Sequence, residues 1–459
     1  MKNEAGAQGA DLLIIGGGPA GIQASRMVKS MRPEWRVAVI RPEDHSMVYC
    51  ALPYAIEGLF PLEKTFKKDS LVTDCGAELI RGSVRAIEAA DRRVLLEDGR
   101  SLGYRRLLIA TGARPALPPV PGVQAENVFT VKTAGSVETI MKRIDAAHDV
   151  THEPAVRQRA VVIGSGAIGI EQATAYVARG LDVHLVEQRD HVLPHLLDED
   201  MAEAPLQVLR DLGITVHLGR ALDALEGGDQ VNRVALLDGT RIDLDPGRDF
   251  VVVAVGMVPE LGFLEGVEIE RARDGLVVDA RMRTSLPDVW AAGDCVAGVS
   301  GIDGDPLGGK LATNAVPMAK VAARDMLGED VSYPGFFNGA ATMVGRLRVG
   351  GTGFTENFAR SRGLDVRTSI AETSTRFPMM PNAGQVRVKL VFETVSDRLI
   401  GAQVIGSEAV AERIDLLTFA IQHGSKVRDL AALSYSAQPW QTFFPARNAI
   451  VDAAMAAMG

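Results

Sequence analysis

The sequence has few of the residues that mark several common protein classes. Its 459 residues include only three cysteines and 5% aromatic residues. Such an odd and sparse set of cysteines excludes a disulfide-stapled scaffold and indicates a reducing compartment, so we expect a cytoplasmic protein. Few aromatics beside 47 glycines favour an α/β fold with many tight turns over an aromatic-rich all-β fold.

Long apolar runs and an excess of positive charge are also absent. No stretch of 18 uncharged apolar residues occurs, and residues 1–10 lack the apolar segment of a secretion signal, so we expect neither a membrane span nor a leader. The run Phe250–Val258 is read as one buried strand. A net charge of −9 without a polybasic tail disfavours nucleic acids and anionic membranes as partners. No His/Cys cluster has the spacing of metal ligands, so no metal is expected.

One supersecondary unit occurs twice in the chain. Residues 11–40 read as a buried strand, a glycine turn, a helix and a second strand, and residues 160–186 repeat that order. A β-α-β unit of this length implies a parallel sheet with both faces covered. The duplication therefore predicts two nucleotide-binding domains.

We predict three domains. The first comprises residues 1–122 and 246–331, the second is inserted as residues 123–245, and an α+β domain follows at 332–459. The proline-rich stretch Arg114–Gly122 is read as a linker. The predicted fold class is thus α/β, with two Rossmann-like domains and a C-terminal α+β domain.

The first glycine turn, Gly16-Gly-Gly-Pro-Ala-Gly21, matches the pattern G-x-G-x-x-G between a strand and a helix. Gly16 permits the tight turn, Gly18 lets the backbone approach a diphosphate, and Gly21 allows close packing of helix and strand. The strand-end position that is usually acidic is Arg41, so Glu43 or Asp44 is the candidate for a ribose contact.

The second glycine turn runs from Gly164 to Gly169 and has an acidic residue at the expected place. Glu187 ends the following strand, 18 residues after Gly169. A carboxylate there accepts a hydrogen bond from a ribose 2′-OH and repels a 2′-phosphate, which favours NADH over NADPH. Arg189 nearby leaves NADPH open as an alternative, because a guanidinium can receive that phosphate.

Three further segments add to the ordered set of motifs along the chain: Leu107–Pro115, Val251–Pro259 and Val289–Cys295. Together with the two glycine turns, they resemble the pyridine nucleotide–disulfide oxidoreductases from end to end. The resemblance implies FAD in the first domain, NAD(P)H in the second, and a homodimer held by the C-terminal domain.

The resemblance also implies the cofactor contacts. Those for FAD are Gly16, Gly18, Pro19, Ala20, Gly21, Arg41, Glu43, Ser46, Ala110, Thr111, Gly112, Asp294, Lys310, Leu311 and Ala312. Those for NAD(P)H are Gly164, Gly166, Ala167, Ile168, Gly169, Glu187 and Gly256.

The segment Ser46-Met-Val-Tyr-Cys-Ala-Leu-Pro-Tyr54 resembles the single-cysteine motif of coenzyme A–disulfide reductases and their NADH oxidase relatives. The resemblance implies that Cys50 lies beside the flavin and cycles as a thiolate, a mixed disulfide or a sulfenate. Pro53 suits an early helix position, and a helix N-terminus favours the thiolate. A buried, inert cysteine is the alternative, and it is the role expected of Cys75 and Cys295.

Several positions depart from the family pattern. Pro19 stands where related peroxidases and oxidases have a histidine, which lowers the case for peroxide or oxygen as acceptor. Gln438 stands where dithiol enzymes have an acid/base histidine, and glutamine does not titrate. Tyr435 matches the tyrosine that coenzyme A–disulfide reductases place in the partner's site, with a buried structural tyrosine as the alternative. Lys310 is read as heading a helix whose N-terminus faces the flavin, or as a simple helix start.

Two charged features are given structural roles. His45 is read as a loop histidine, and Asp198–Asp200 as the solvated start of a helix. The histidines of the second domain show no ligand spacing.

These features predict a FAD-dependent NAD(P)H oxidoreductase. Its acceptor is a small disulfide, persulfide, polysulfide or coenzyme A derivative, reduced through Cys50. The alternatives are an NADH oxidase, a subunit that passes electrons to a protein partner, and a non-catalytic redox sensor.

Overall fold

The structure, a computed structural model, describes residues 9–150 and 157–459. The prediction for residues 1–10 therefore falls almost wholly outside the described residues. The described chain forms two units. The first takes in the chain as far as Tyr49, then Glu63–Pro115 and Met257–Phe336, and the second comprises Cys50–Leu62, Ala116–Gly256 and Phe337–Gly459.

The strands in chain order are β1 (Ala10–Ile15), β2 (Val37–Arg41), β3 (Ser46–Met47), β4 (Phe66–Lys67), β5 (Glu78–Arg81), β6 (Val84–Glu88), β7 (Arg93–Leu96), β8 (Ser101–Ile109), β9 (Ala113–Pro115), β10 (Val128–Phe129), β11 (Arg159–Ile163), β12 (Asp182–Val186), β13 (Thr215–His217), β14 (Leu222–Glu226), β15 (Arg233–Leu236), β16 (Arg241–Asp243), β17 (Phe250–Val253), β18 (Met257–Pro259), β19 (Arg271–Ala272), β20 (Gly275–Leu276), β21 (Val289–Ala291), β22 (Ala340–Val344), β23 (Leu347–Gly353), β24 (Val366–Ser374), β25 (Gln385–Glu393) and β26 (Leu399–Gly406). The α-helices are α1 (Pro19–Met31), α2 (Leu52–Glu57), α3 (Ser70–Thr73), α4 (Ala134–Val150), α5 (Ala167–Ala178), α6 (Glu199–Asp211), α7 (Ala312–Met326), α8 (Glu356–Ser361), α9 (Val410–Gln422), α10 (Val427–Ala431) and α11 (Ala449–Ala456).

The first unit is built on a parallel sheet in the order β5-β2-β1-β8-β21, and β8 also pairs antiparallel with β7, which pairs with β6. The apolar residues of β1 suit a central position in this sheet, because the last four of them are buried and both faces of a parallel sheet are covered by other elements. Helix α1 packs against α7, and Gly293 lies where an added Cβ would meet Ala20 and Ala315 at 3.4 and 3.3 Å. The predicted Rossmann-like arrangement of this part is confirmed.

The second unit contains another parallel sheet, ordered β10-β17-β11-β12-β13. Its β14–β16 meander covers one face, where Val161 and Ile163 share a core with Val234 and Leu236. The predicted repeat of the nucleotide-binding fold is therefore confirmed. The predicted single strand Phe250–Val258 is wrong: β17 ends at Val253, because Gly256 adopts a φ of +114° and breaks the extended run.

The same unit ends in an antiparallel sheet ordered β22-β23-β26-β25-β24, with α9 and α11 packed on it. All eight residues of its central strand β26 are buried, as expected for a strand with neighbours on both sides. This is the predicted α+β domain. The predicted domain boundaries stay predictions, but the grouping of residues 50–62 with the second unit had no signal in the sequence.

Candidate active site

The first glycine turn joins β1 to α1 and leaves open space in front of the helix. Gly16 has a φ of +114°, and a Cβ there would lie 2.1 Å from the carbonyl oxygen of Ala110. A Cβ at Gly21 would lie 2.0 Å from the carbonyl oxygen of Gly16. By contrast, a Cβ at Gly18 would meet no protein atom within 4 Å, and Pro19 begins the helix. The turn therefore directs the free N–H groups of α1 into a cradle that fits the diphosphate of a dinucleotide such as FAD.

The segment after β8 borders this cradle. The N–H of Ala110 donates to the carbonyl of Ile15 at 2.8 Å, and the hydroxyl of Thr111 donates to the carbonyl of Glu260 at 2.8 Å. Gly112 has a φ of +75° and open space beside it. These bonds fix the backbone beside the glycine turn, as expected for a segment that closes over a bound dinucleotide.

Arg41 ends β2, and its side chain organises the following loop. It is 3% exposed, packs beneath Gly17, and pairs with Asp69 at 2.6 Å. It also donates to the carbonyl oxygens of Glu43 and Asp44, both at 2.9 Å. The guanidinium is therefore committed to the protein, which leaves the exposed Glu43 side chain as the better candidate for a ribose contact.

Two groups after this loop belong to the same region. The hydroxyl of Ser46 is buried, and the described residues offer it no hydrogen-bond partner, which suits a group that contacts a bound dinucleotide. Burial raises the pKa of Tyr49, the charges of Glu43 and Asp294 raise it further, and Arg41 opposes them. Tyr49 therefore lies within electrostatic reach of Glu43, Arg41 and Asp294.

Lys310 holds the backbone next to Asp294. Its ammonium donates to the carbonyl oxygens of Asp294 at 2.7 Å and Asp274 at 3.0 Å. Burial lowers its pKa, and the nearby Asp294 carboxylate opposes that shift. Leu311 is the N-cap of α7, which begins at Ala312, so Lys310 precedes the helix and positions its N-terminus.

The other two cysteines have structural environments. Cys295 is fully buried and donates to the carbonyls of Ile109 and Ala292, both at 3.4 Å. Burial raises its pKa to about 11, so it remains a thiol at neutral pH. The Cys75 thiol donates to the carbonyl of Val72 at 3.0 Å.

The second glycine turn has the same geometry as the first. A Cβ at Gly164, where φ is +103°, would lie 2.5 Å from the carbonyl oxygen of Ala254, and one at Gly169 would lie 1.9 Å from that of Gly164. Gly166 and Gly256 have open space beside them. Gly164, Gly166 and Gly169 therefore repeat the environments of Gly16, Gly18 and Gly21, with an open position between two crowded ones. This arrangement fits a second dinucleotide.

The two helices differ in their first turns. Ala20 in α1 is buried, whereas Ala167 and Ile168 in α5 are exposed, Ile168 by 48%. The predicted NAD(P)H site is thus more open to solvent than the predicted FAD site, as suits a cofactor that binds and leaves.

Glu187 lies at the end of β12, buried beside the second turn. Its Oε2 accepts from the N–H of Ser165 at 2.9 Å and from its hydroxyl at 2.8 Å, and its Oε1 accepts from the N–H of Arg189 at 2.9 Å. These donors hold the carboxylate in place, and its remaining lone pairs can accept a ribose hydroxyl.

Cys50 lies in a 3-10 turn, Tyr49–Ala51, that runs directly into α2. Its thiol is exposed. Helix α2 has Pro53 in its first turn, as predicted, but it is only six residues long and ends at Gly58 in the left-handed conformation. Such a short helix provides less dipole for a thiolate than the sequence indicated.

Tyr435 and Gln438 lie in the segment between α10 and α11, and both are exposed in the single chain. The hydroxyl of Tyr435 donates to the carbonyl of Pro445 at 2.5 Å, while the amide oxygen of Gln438 accepts from the N–H of Trp440 at 2.8 Å. Tyr435 is 41% exposed. Their predicted role at a partner's site stays a prediction.

The interpretation of Asp198–Asp200 as a solvated helix start is confirmed for Glu199 and Asp200, which are exposed in the first turn of α6, but it is wrong for Asp198, the buried N-cap. Asp198 is 3% exposed, and Lys389 is 1% exposed. The ammonium of Lys389 lies 3.2 Å from Asp198, 2.8 Å from Asp200 and 2.9 Å from Glu356. Asp198 and Asp200 are therefore members of an ion cluster around the buried ammonium of Lys389, which lies 189 residues after Asp200 in the chain.

Two histidines of the second unit form a pair that sequence spacing did not reveal. His184 Nδ1 lies 3.0 Å from His217 Nε2, on adjacent strands. Burial lowers the pKa of both rings, so the pair is neutral at pH 7. His45 stacks on Phe66 in its loop, as the structural interpretation expected.

Over the part of the chain that the structure describes, no three His, Cys, Asp or Glu side chains are grouped to hold a metal ion. Within the same residues, every helix is too short or too polar to cross a membrane.

Comparisons with known proteins agree with this geometry. Residues 10–319 match the model of the pyridine nucleotide-disulphide oxidoreductase family, and residues 340–442 match its dimerisation domain. The chain is 30% identical to an NADH oxidase of Methanocaldococcus jannaschii over 93% of this chain and 94% of the relative. It is 30% identical to a CoA-dependent NAD(P)H sulfur oxidoreductase of Pyrococcus furiosus over 91% and 93%.

A solved structure of an NAD-dependent persulfide reductase from A. fulgidus has 29% sequence identity and a TM-score of 0.90. That match covers 97% of this chain and 83% of the other. The family implies FAD and NAD(P)H as cofactors, and both glycine cradles fit such dinucleotides. The matched regions include both glycine turns, the segments Leu107–Pro115 and Val251–Pro259, and most of the C-terminal domain. This chain therefore belongs to the pyridine nucleotide-disulphide oxidoreductases and is a flavin-dependent NAD(P)H oxidoreductase.

Proposed function

We propose that the chain uses NADH to reduce the S–S bond of a small disulfide, persulfide or polysulfide, with Cys50 as the sulfur nucleophile. The observation that carries the proposal is the exposure of the Cys50 thiol, while Cys75 is half-buried and Cys295 is buried. The names of the Pyrococcus furiosus and A. fulgidus relatives support a sulfur acceptor.

The residues that would hold FAD are the cradle of Gly16, Gly18 and Gly21, the exposed carboxylate of Glu43, and the backbone at Asp294 that Lys310 fixes. When bound, FAD supplies the two-electron chemistry that links NAD(P)H to the acceptor. The protein contributes binding, orientation and electrostatics around that group.

The chain's own chemical step is a thiol–disulfide exchange. The thiolate of Cys50 attacks one sulfur of the acceptor, an S–S bond forms to Cys50, and the acceptor's S–S bond breaks. The leaving sulfur departs as a thiolate, or as hydrosulfide from a persulfide. Over a full cycle with a disulfide, one NADH and one proton are consumed, and NAD⁺ and two thiols are released.

We infer a preference for NADH from Glu187, because its buried carboxylate would lie against a 2′-phosphate. We also infer a homodimer, since residues 340–442 match a dimerisation domain. In that assembly, Tyr435 and Gln438 of one subunit would contact the acceptor at the other.

Anaerobic NADH oxidation with coenzyme A disulfide and with polysulfide tests the proposal. We expect turnover for the wild type and for the Cys75→Ser control, and its loss in flavin-loaded Cys50→Ser. Equal rates in wild type and Cys50→Ser would contradict the role of Cys50, and absence of turnover with either acceptor would contradict the acceptor class.

A second candidate function is that of an NADH oxidase, the name of the Methanocaldococcus jannaschii relative. Oxygen consumption with NADH distinguishes the two functions. A rate with oxygen that exceeds the rate with the sulfur acceptors would favour the oxidase. A rate that appears only when a protein acceptor is added would favour an electron-transfer partner.

A further inference from the structure

Tyr54 lies one helical turn after the exposed cysteine. The 3-10 turn that contains Cys50 continues into α2 without a break, and the charge of Cys50 acts on the phenol of Tyr54 four residues later. The Tyr54 side chain is half-buried, and its hydroxyl makes no hydrogen bond to any residue that the structure describes. A phenol group is therefore available next to the reactive thiol.

Helix α2 is fixed on α5, the helix that follows the second glycine turn. The two helices are in contact, and the buried residues of α2 include Leu52 and Ile56. Arg179, at the end of α5, donates to the carbonyl oxygen of Ile56 at 2.9 Å and pairs with Asp145 at 2.5 Å. The guanidinium satisfies a carbonyl at the C-terminus of α2, where no intrahelical donor remains, so the orientation of Tyr54 is set by α5.

Helix α5 also places a carboxylate near the phenol. Glu171 is mostly buried and accepts from the hydroxyl of Thr342 at 2.7 Å, and burial raises its pKa. Burial raises the pKa of Tyr54 to about 12, with further contributions from the charges of Glu171, Glu57 and Cys50. The phenol therefore keeps its proton throughout the physiological pH range and acts as a hydrogen-bond donor.

We propose that the hydroxyl of Tyr54 donates a hydrogen bond to the sulfur that leaves when Cys50 attacks an S–S bond. This inference rests on the proposed role of Cys50. The hydroxyl does not bond to the sulfur of Cys50 itself, so it is left for the acceptor. The positions where relatives carry a titrating histidine hold Pro19 and Gln438 here, and neither side chain can protonate a thiolate.

The step balances without a further reactant. The Cys50 thiolate forms a bond to one acceptor sulfur, the acceptor's S–S bond breaks, and its electron pair leaves with the second sulfur as a thiolate. The Tyr54 O–H stabilises that negative charge. A phenol with so high a pKa does not surrender its proton to a thiolate, whose conjugate acid has a pKa near ~8.5, so the final proton comes from water.

The dependence of exchange rate on the leaving thiol tests the proposal on purified protein without NADH. All variants carry Cys75→Ser, so that the reacting thiol is Cys50. Exchange is timed with hydroxyethyl disulfide, whose leaving thiolate is basic, and with a dithiobis-nitrobenzoate, whose leaving thiolate is stable without a donor. A hydrogen bond to an anion contributes enough that we expect Tyr54→Phe to slow the first reaction about tenfold to a hundredfold. The second reaction should slow by less than about twofold, because an acidic leaving thiol needs no donor.

Tyr104→Phe is the matched control, since Tyr104 is a buried tyrosine of β8 and lies in the other unit. A second variant, Glu171→Gln, retains the phenol but removes a charge that raises its pKa. It should speed the reaction with hydroxyethyl disulfide by a few-fold, and an unchanged or slower rate would count against the donor role.

The outcomes separate the two hypotheses. Equal slowing of both disulfides in Tyr54→Phe would mean that Tyr54 only shapes the site, which overturns this inference alone. Failure of Cys50 to react with either disulfide, or full NADH-dependent turnover in Cys50→Ser, would overturn the proposed function instead.

Discussion

The carboxylate of Glu187 accepts two hydrogen bonds from Ser165, one from the backbone N–H at 2.9 Å and one from the hydroxyl at 2.8 Å. Ser165 is the second residue of the glycine turn, and Glu187 directly follows β12. The turn proposed to hold the diphosphate and the acid proposed to face the ribose are therefore joined by hydrogen bonds. A change in either residue is expected to alter coenzyme selection.

Glu187→Gln should lower the preference for NADH over NADPH. The amide keeps an acceptor oxygen for Ser165 but loses the negative charge that repels a 2′-phosphate, so the ratio of kcat/KM values should fall about tenfold. Steady-state kinetics with both coenzymes measure the ratio. Asp190→Asn, which removes a neighbouring exposed carboxylate, is the control. An unchanged ratio in Glu187→Gln would show that selection lies elsewhere.

Two glycines of the second turn should respond in opposite ways to alanine. A Cβ at Gly166 meets no protein atom within 4 Å, so Gly166→Ala should fold normally but raise the KM for NADH about tenfold or more by filling the cradle. A Cβ at Gly169 would lie 1.9 Å from the carbonyl oxygen of Gly164, so Gly169→Ala should lower Tm. Thermal unfolding and NADH titration separate the two effects. A destabilised Gly166→Ala variant would contradict the open cradle.

Lys389→Met should be strongly destabilising. The ammonium is 1% exposed among three carboxylates, and its removal leaves the buried carboxylate of Asp198 without a counter-charge, although its hydrogen bonds from Gln403 and two backbone N–H groups remain. Breaking a buried ion pair from one side costs about 3–5 kcal/mol, which urea unfolding at neutral pH would detect. The exposed Lys320→Met is the control and should change the free energy of unfolding by less than about 0.5 kcal/mol. Equal values for the two variants would refute the importance of the cluster.

Asp325 should make the first unit sensitive to acid. Burial alone would raise its pKa, but hydrogen bonds from Arg283, Trp290 and Arg281 outweigh burial and hold the pKa below its ordinary value. A carboxyl whose pKa is depressed on folding contributes stability above its unfolded pKa of about 3.9, and that contribution is lost as pH falls toward the folded pKa.

The Asp325→Asn variant should therefore be less stable than wild type near about pH 6, with the difference shrinking toward about pH 3. Urea midpoints across this range measure the difference. Asp330→Asn removes the other carboxylate that pairs with Arg281, but that side chain is 91% exposed, so its effect should be small at every pH. A difference between Asp325→Asn and wild type that grows on acidification would reverse the assigned sign.

The repeated nucleotide-binding units, the α+β C-terminal domain and the membership of the family were all predictable from the amino-acid sequence. These depend on local signals: glycines that a turn demands at Gly16 and Gly164, apolar strands of β length, and the order of the motifs. A Cβ at either glycine would clash with backbone atoms, so no other residue fits there. For that reason these glycines predict the turn from the sequence alone.

Which distant side chains meet depends on the packing of the folded chain. The burial of Asp198 was not predictable, because this N-cap of α6 pairs with Lys389 on β25, and charge spacing along the chain carries no information about such a distant pair. The break after β17 and the placement of α2 on α5 were likewise invisible. The same reason applies to Tyr54 and Glu171, since their proximity depends on how two helices pack, whereas a motif records only what one stretch of backbone requires.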